Sequence, residues 1–314
     1  MIIMRIIKPG ALRRGDVIGI CAPASPPSSP DALDAGIRYL EQLGYRIELG
    51  KNLYRRRGYL AGSDAQRISD LHDMYLNPQV KAIFAARGGY GAHRILARLN
   101  YRLIRRHPKI LVGYSDITAL QMAIYAKARM TSISGAMVTE MPATFKPATE
   151  EMFWRSLTSP KPLGVIRGMK NGWMTSGNDK MSSGRILGGN LSLLAGMMGT
   201  SYFPLFDRLV LLLEDIDERP YRVDRTLQQL RLNGVFAKAY GIVLGAFIDC
   251  TPVKGKASLR LNQVFAETLQ GFSFPILSGF RYGHLINSLT IPLGVRVRVN
   301  GFRNTLEFLE AAVT

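Results

Sequence analysis

Along the first half of the chain, apolar runs of four to seven residues alternate with stretches whose apolar positions recur at helical spacing. Residues 17–22 (VIGICA) form one such run and end in a Pro- and Ser-rich loop, APASPPSSP. Residues 31–43 then predict a helix, with Leu33, Ile37, Leu40 and Leu43 on one face. Residues 46–49 (RIEL) predict a second strand, and 64–76 a helix with Ile68, Leu71 and Tyr75 in phase. Residues 80–86 (VKAIFAA) form a buried-strand run that opens into RGGYG. A helix over 94–99, a strand over 109–113 (KILVG) and a helix over 117–128 continue the rhythm. Strand–helix alternation of this kind predicts a parallel sheet covered on both faces.

The texture changes near Pro142. Residues 142–183 are rich in Pro, Gly and Lys with little periodicity, and read as a connection. Beyond them lie a predicted helix over 190–198, a strong strand over 208–213 (RLVLLL), a helix over 223–232 and a Gly-interrupted strand over 241–247. Near the C-terminus GVRVRVN alternates Val and Arg, Asn300-Gly301 is turn material, and TLEFLE resumes the alternation. That pattern predicts a hairpin.

The chain has 314 residues, 47% of them hydrophobic, which predicts about two globular domains. It needs no disulfide or metal to fold, and its two cysteines, Cys21 and Cys250, exclude a disulfide scaffold. No signal peptide or apolar membrane span is evident, so the cytoplasm is the expected location. The net charge of +18 suits an acidic partner. The basic residues are scattered in short clusters without a nucleic-acid module, so nucleic-acid binding is not expected as the main function.

Three segments could carry chemistry. GYSD, residues 113–116, lies where an apolar strand gives way to a helix. A Ser there exposes its hydroxyl at the carboxyl end of the sheet, as in a nucleophile elbow, although the G-x-S-x-G pattern is not met. Ser115 could equally serve as a helix N-cap. RGGYG, residues 87–91, lacks the residues of a P-loop. It is either a tight structural turn or an anion-binding turn beside Ser115. In LLLEDIDE, residues 211–218, Glu214 follows an apolar run, which places it at a strand end near a cleft rim, or simply at a solvated end. Of the four histidines, His284 alone lies in a polar, Gly-containing loop, RYGHLINS. A base for Ser115 near neutral pH would come from these four.

Taken together, KPGALRRGDVIGICAPAS, GYLAGSDAQRISDLHDMY, AIFAARGGYGAHRIL, LVGYSDITAL, GRILGGNLSLLAGMMGT, LLLEDIDERPYRVDRTLQQL and GHLINSLTIPLG resemble, in order, the LD-carboxypeptidase family of serine peptidases. That family also includes the microcin-immunity peptidases. The resemblance implies a Ser–His–Glu triad of Ser115, His284 and Glu214, with the backbone N–H groups of Gly89 and Asp116 as oxyanion hole. Arg87, Gly88 and Asn190 are expected near the substrate. The fold implied is α/β: a flavodoxin-like parallel-sheet N-terminal domain (1–145), a connecting segment (146–183) and a smaller β-rich α/β C-terminal domain (184–314). The activity implied is cleavage of the amide between an L-centre and a C-terminal D-amino acid, D-alanine of murein tetrapeptides, without metal or cofactor. A homodimer is also implied. The alternatives are a microcin-immunity-like peptidase acting on aminoacyl or peptidyl nucleotides, and a non-catalytic anion- or peptide-binding module. One departure is local: many relatives carry a His-Gly-Pro-like segment where this chain reads ISGAM, residues 133–137.

Overall fold

A computed structural model describes residues 5–169, 180–204, 206 and 208–314. In chain order its strands are β1 (Val17–Cys21), β2 (Arg46–Leu49), β3 (Val80–Ala85), β4 (Ile110–Val112), β5 (Ser132–Ser134), β6 (Gly164–Arg167) and β7 (Met181–Asn190). They continue as β8 (Leu209–Ile216), β9 (Ala239–Ile248), β10 (Ile276–Leu277), β11 (Ile291–Leu293), β12 (Arg296–Asn300) and β13 (Thr305–Phe308).

The first sheet has the order β11-β5-β4-β3-β1-β2. From β2 to β5 every pairing is parallel. The order 2-1-3-4-5 is that of flavodoxin-like folds, whose ligands sit beyond the carboxyl ends of the strands, near the reversal of order between β1 and β3. β1 leads there into the Pro/Ser loop, β3 into RGGYG and β4 into GYSD. The second sheet has the order β10-β9-β8-β7-β12-β13-β6. Strands β7 to β10 are parallel, whereas β12, β13 and β6 are antiparallel. The α/β class and its β-rich second part are as the sequence predicts, and β12–β13 is the expected hairpin, with Val297 opposite Phe308 and Asn300 opposite Thr305.

Three features differ from the sequence pattern. The stretch read as a connection holds a helix, Pro147–Thr158, and strand β6; residues 170–179 lie outside the described residues. The helix starts on Pro147 and buries Phe153 and Leu157. A face that narrow gives little periodic signal. Strand β7, central in the second sheet, was hidden by Gly184, Gly188 and Gly189. A Cβ at Gly184 or Gly188 would lie 2.1 Å or 2.0 Å from the carbonyl oxygen of Arg208 or Leu212, so close backbone approach demands glycine. Finally, the C-terminal part of the chain returns to the first sheet. β11 pairs antiparallel with β5, the Thr131 hydroxyl donates to the Ala312 carbonyl (2.6 Å), and Ala11 and Thr314 are tied through the backbone (2.8 Å).

Candidate active site

Ser115 sits between β4 and the helix Ile117–Ala128, and its φ is 61°. The left-handed region is costly for a residue with a Cβ and marks a backbone held by its surroundings. Asp116 occupies the N-cap position, and Ser115 Oγ points instead to His284, whose Nε2 is 3.0 Å away. The N-cap alternative for Ser115 is thereby set aside. His284 Nδ1 lies 2.8 Å from Glu214 Oε2. With Glu214 ionised, Nδ1–H donates to the carboxylate, which leaves Nε2 to accept the Ser115 hydroxyl proton.

Glu214 is not at a rim. It lies within β8, fully buried, opposite Asn190 of β7. The residues before it, Leu209 to Leu213, are all buried. Each buried Leu or Val side chain contributes about 1.5–3 kcal/mol. That run is enough to carry an adjacent carboxylate into the core, where a single partner holds it. Glu214 Oε1 has no hydrogen bond among the described residues. Two glycines make room for it. A Cβ at Gly283 would lie 2.6 Å from Glu214 Oε2, and one at Gly245 would lie 3.3 Å from Glu214 Cβ.

The loop carrying His284 is closed on itself. Gly283 N–H donates to Ser288 Oγ (3.0 Å), Arg281 Nη2 donates to the Ile286 carbonyl (2.9 Å), and Asn287 N–H reaches the Thr144 carbonyl (3.0 Å). The neighbouring acid, Asp215, is engaged elsewhere. Asp215 accepts from Asn190 Nδ2 (2.9 Å) and from the N–H and hydroxyl of Ser192 (3.0 and 2.8 Å). Asn190 also caps the helix Leu191–Ala195 through Leu193 N–H (3.2 Å). It is buried, and both ends of its amide take part in these bonds, which brace the strand end.

RGGYG packs directly on Ser115. A Cβ at Gly88 would stand 3.0 Å from Ser115 Cβ and 3.1 Å from its Oγ. Gly89 has φ 101°, a conformation open to glycine. No acceptor among the described residues is bonded to the N–H of Gly89 or Asp116. The Asp116 carboxylate fastens the turn from below: Oδ2 accepts from Ala92 N–H at 2.7 Å. Burial pushes the Asp116 carboxyl up to about 6, against the Ala92 and Gly91 N–H groups and the Arg67 charge. The fully buried Arg67 guanidinium joins the Pro23 carbonyl, the Gly91 carbonyl and Asp64, so two turns and the first residue of its own helix share one cation. Placing a methyl on Gly88 moves the hydroxyl beside it. Gly88→Ala should therefore lower kcat by up to roughly tenfold, less than the ~100-fold of a 1 Å misplacement, with the thermal midpoint nearly kept. Steady-state kinetics beside a melting curve checks this.

Sequence reasoning missed Tyr114 and Glu140. The Tyr114 hydroxyl donates to Glu140 Oε1 (2.6 Å), and Glu140 Oε2 accepts from Met137 N–H (2.9 Å). The Tyr114 ring lies 5.1 Å from the His284 ring. Glu140 closes a single short turn, Val138–Glu140, just before the Pro-rich stretch, where no periodic signal exists, so only the fold could reveal it. Arg87 is half-buried, and its charge acts on Glu140. At the departure noted in ISGAM, Ser134 Oγ is bonded to the Tyr282 hydroxyl at 2.8 Å.

Burial opposes a charge on His284, but the Glu214 bond and the charges of Glu214, Glu140 and Asp215 outweigh it, so the imidazole titrates above its ordinary 6.5. A base must be neutral to accept a proton, so activity should rise with pH as His284 deprotonates. Removing one nearby negative charge favours the neutral form. In Glu140→Gln the acid limb of the kcat/KM profile should move to lower pH; a limb that stays in place would refute the coupling.

A hydroxyl, an imidazole and a buried carboxylate in one hydrogen-bonded line, beside unbonded backbone N–H groups, are the apparatus of a serine hydrolase. The chain belongs to the LD-carboxypeptidase family: residues 18–135 match its N-terminal domain and 183–299 its C-terminal domain. It is 38% identical to the probable murein peptide carboxypeptidase of Bacillus subtilis over 314 residues, covering 98% of this chain and 95% of that one. The structure of muramoyltetrapeptide carboxypeptidase from Oxalobacter formigenes superposes with a TM-score of 0.81 at 29% identity, covering 93% of this chain and 97% of that one. The microcin C7 self-immunity protein, solved with adenosine monophosphate, superposes with a TM-score of 0.86 at 27% identity, covering 98% of this chain and 100% of that one. Among the described residues no helix is long and apolar enough to cross a membrane.

Proposed function

We infer that this protein removes the C-terminal D-alanine of murein tetrapeptides from an L-centre, with Ser115 as nucleophile, His284 as general base and Glu214 as its orienting carboxylate. The observation that carries this is the unbroken line Ser115–His284–Glu214, with contacts of 3.0 and 2.8 Å. His284 Nε2 takes the hydroxyl proton as Ser115 Oγ attacks the scissile carbonyl carbon. The oxyanion that forms accepts from the N–H groups of Gly89 and Asp116, donors of a kind that contribute about 3–4 kcal/mol each. His284 then returns the proton to the leaving nitrogen, the C–N bond breaks, and D-alanine departs. Water activated by His284 hydrolyses the acyl-enzyme.

Arg87 supplies a cation beside the reacting centre for a substrate carboxylate. We place the enzyme in the cytoplasm as a homodimer. Its two free, buried thiols, Cys21 and Cys250, suit a reducing compartment. Mass spectrometry of the purified protein with a D-alanine-ended tetrapeptide, its all-L counterpart and a Ser115→Ala control tests the assignment. Release from the D-ended peptide alone, lost in the variant, supports it. Cleavage of an aminoacyl-sulfamoyl adenylate in place of the tetrapeptide would move the substrate to the nucleotide class. Binding without turnover would make the protein a peptide-binding module.

A further inference from the structure

The turn that carries Gly89 also carries Tyr90, and this residue turns outward. Tyr59 and Tyr90 are 63% and 50% exposed. Their rings meet edge to face, with centroids 5.2 Å apart and planes at 82°. Large aromatic rings grouped in solvent at the rim of a site are binding surface. Their backbones are fixed by one residue. Ser25 Oγ donates to the Tyr59 carbonyl (2.7 Å) and accepts the Tyr90 N–H (3.1 Å). Gly89 admits that hydroxyl, since a Cβ there would lie 2.3 Å from Ser25 Oγ. The Tyr59 turn is closed by Arg57 and Leu60, which bond each other's backbones at 2.9 and 3.1 Å. The backbone of the corner is thus fixed, so binding has only the two rings to order.

We propose that Tyr59 and Tyr90 form a sugar subsite that takes the N-acetylmuramyl ring of a muropeptide substrate. This rests on the murein assignment above and adds to it a preference for glycan-bearing peptide. Length fits. In a tetrapeptide three residues precede the scissile bond, and they span about 10 Å when extended. Gly88 touches Ser115, and Tyr90 lies two residues further, within about 7 Å of chain. A substrate with its carbonyl at Ser115 and its stem laid along the turn therefore brings the sugar to the rings.

Shape favours a sugar over a flat base. A planar heterocycle stacks best between parallel faces. A corner at 82° offers one ring face to the C–H face of a pyranose and the second ring's edge and hydroxyl to its polar rim. Charge also fits. Arg55 and Arg57 precede Tyr59 on the exposed loop, and the nearby Asp64 is already held by Arg94 (2.9 Å) and Arg67 (2.6 Å). The rim is therefore positive, as the carboxylates of a muropeptide require.

The test compares D-alanine release from N-acetylmuramyl-tetrapeptide and from free tetrapeptide, using the full-length protein and its Tyr59→Ala, Tyr90→Ala and Tyr90→Phe variants. The expected result is a kcat/KM ratio of about tenfold in favour of the sugar-bearing substrate, carried by KM, as for an aromatic contact of about 1.4 kcal/mol. Each Ala variant should bring that ratio towards one, and Tyr90→Phe should keep most of it. A wild-type ratio of one, or a ratio that the Ala variants leave unchanged, overturns the subsite. Should neither substrate be cleaved, the murein assignment fails separately. Calorimetry of N-acetylmuramyl-tetrapeptide on Ser115→Ala, with and without Tyr59→Ala, then decides the subsite. An affinity loss of about tenfold supports it, and equal affinity or no binding ends it.

Discussion

Ser115→Ala is expected to lower kcat by at least about 10⁴-fold, because removing the nucleophile of such a triad leaves only oxyanion and binding effects. Stability should hardly change. Among the described residues the hydroxyl bonds only to the half-buried His284, and Ala tolerates φ 61° no worse than Ser does. Ser115→Gly separates chemistry from fold more sharply. Glycine adopts the left-handed region freely, whereas an L-residue there costs about 1–2 kcal/mol. The variant regains that strain energy but adds chain entropy in the unfolded state, worth about 0.4–1 kcal/mol. The net expectation is an inactive protein that melts at or slightly above the wild type. A marked loss of stability in Ser115→Gly would mean that the turn is not strained, and retained turnover in either variant would remove Ser115 from the mechanism.

Glu214→Gln should be nearly as damaging to rate, by about 10³–10⁴-fold, with the fold intact. The amide can donate to His284 Nδ1, which forces the proton onto Nε2 and removes the acceptor that Ser115 needs. Geometry is preserved and the tautomer is wrong. Burial makes the stability effect unusual. Glu214 is fully enclosed with one carboxylate oxygen bonded to His284 and the other without a partner among the described residues. Burying an ionised carboxylate costs several kcal/mol. A neutral amide escapes that cost, so Glu214→Gln is expected to melt no lower than the wild type. Since the Glu214 bond and charge help raise the His284 pKa, the remaining activity should also titrate at lower pH. Rate, melting temperature and pH profile of one variant therefore test role, burial and coupling together.

Legibility followed the strength of local signals. β1, β3, β4 and β8 were evident as apolar runs, and the β12–β13 hairpin as alternation around Asn300-Gly301. β7 was not, because its glycines answer to the backbone of β8 and not to a local preference. The helix Pro147–Thr158 buries too narrow a face to be periodic. The role of Asn190 in tying β7 to Asp215 and Leu193 is likewise a matter of tertiary contact that no local pattern shows. Glu140 carries no signal at all until Tyr114 is seen to reach it.

By itself the sequence determined the α/β class, the order of its strong strands and the motifs that carry the family resemblance, because period and turn chemistry act over a few neighbouring residues. It also restricted the candidate base to four histidines, and the family resemblance singled out His284 with Glu214. Only the tertiary structure brings His284 against Ser115. It chose Glu214 over Asp215 as the partner of His284, drew that carboxylate from a presumed rim into the core, and returned β11 to the first sheet. Contacts between residues 70 and 169 positions apart depend on how whole sheets pack, and no local pattern encodes such a meeting.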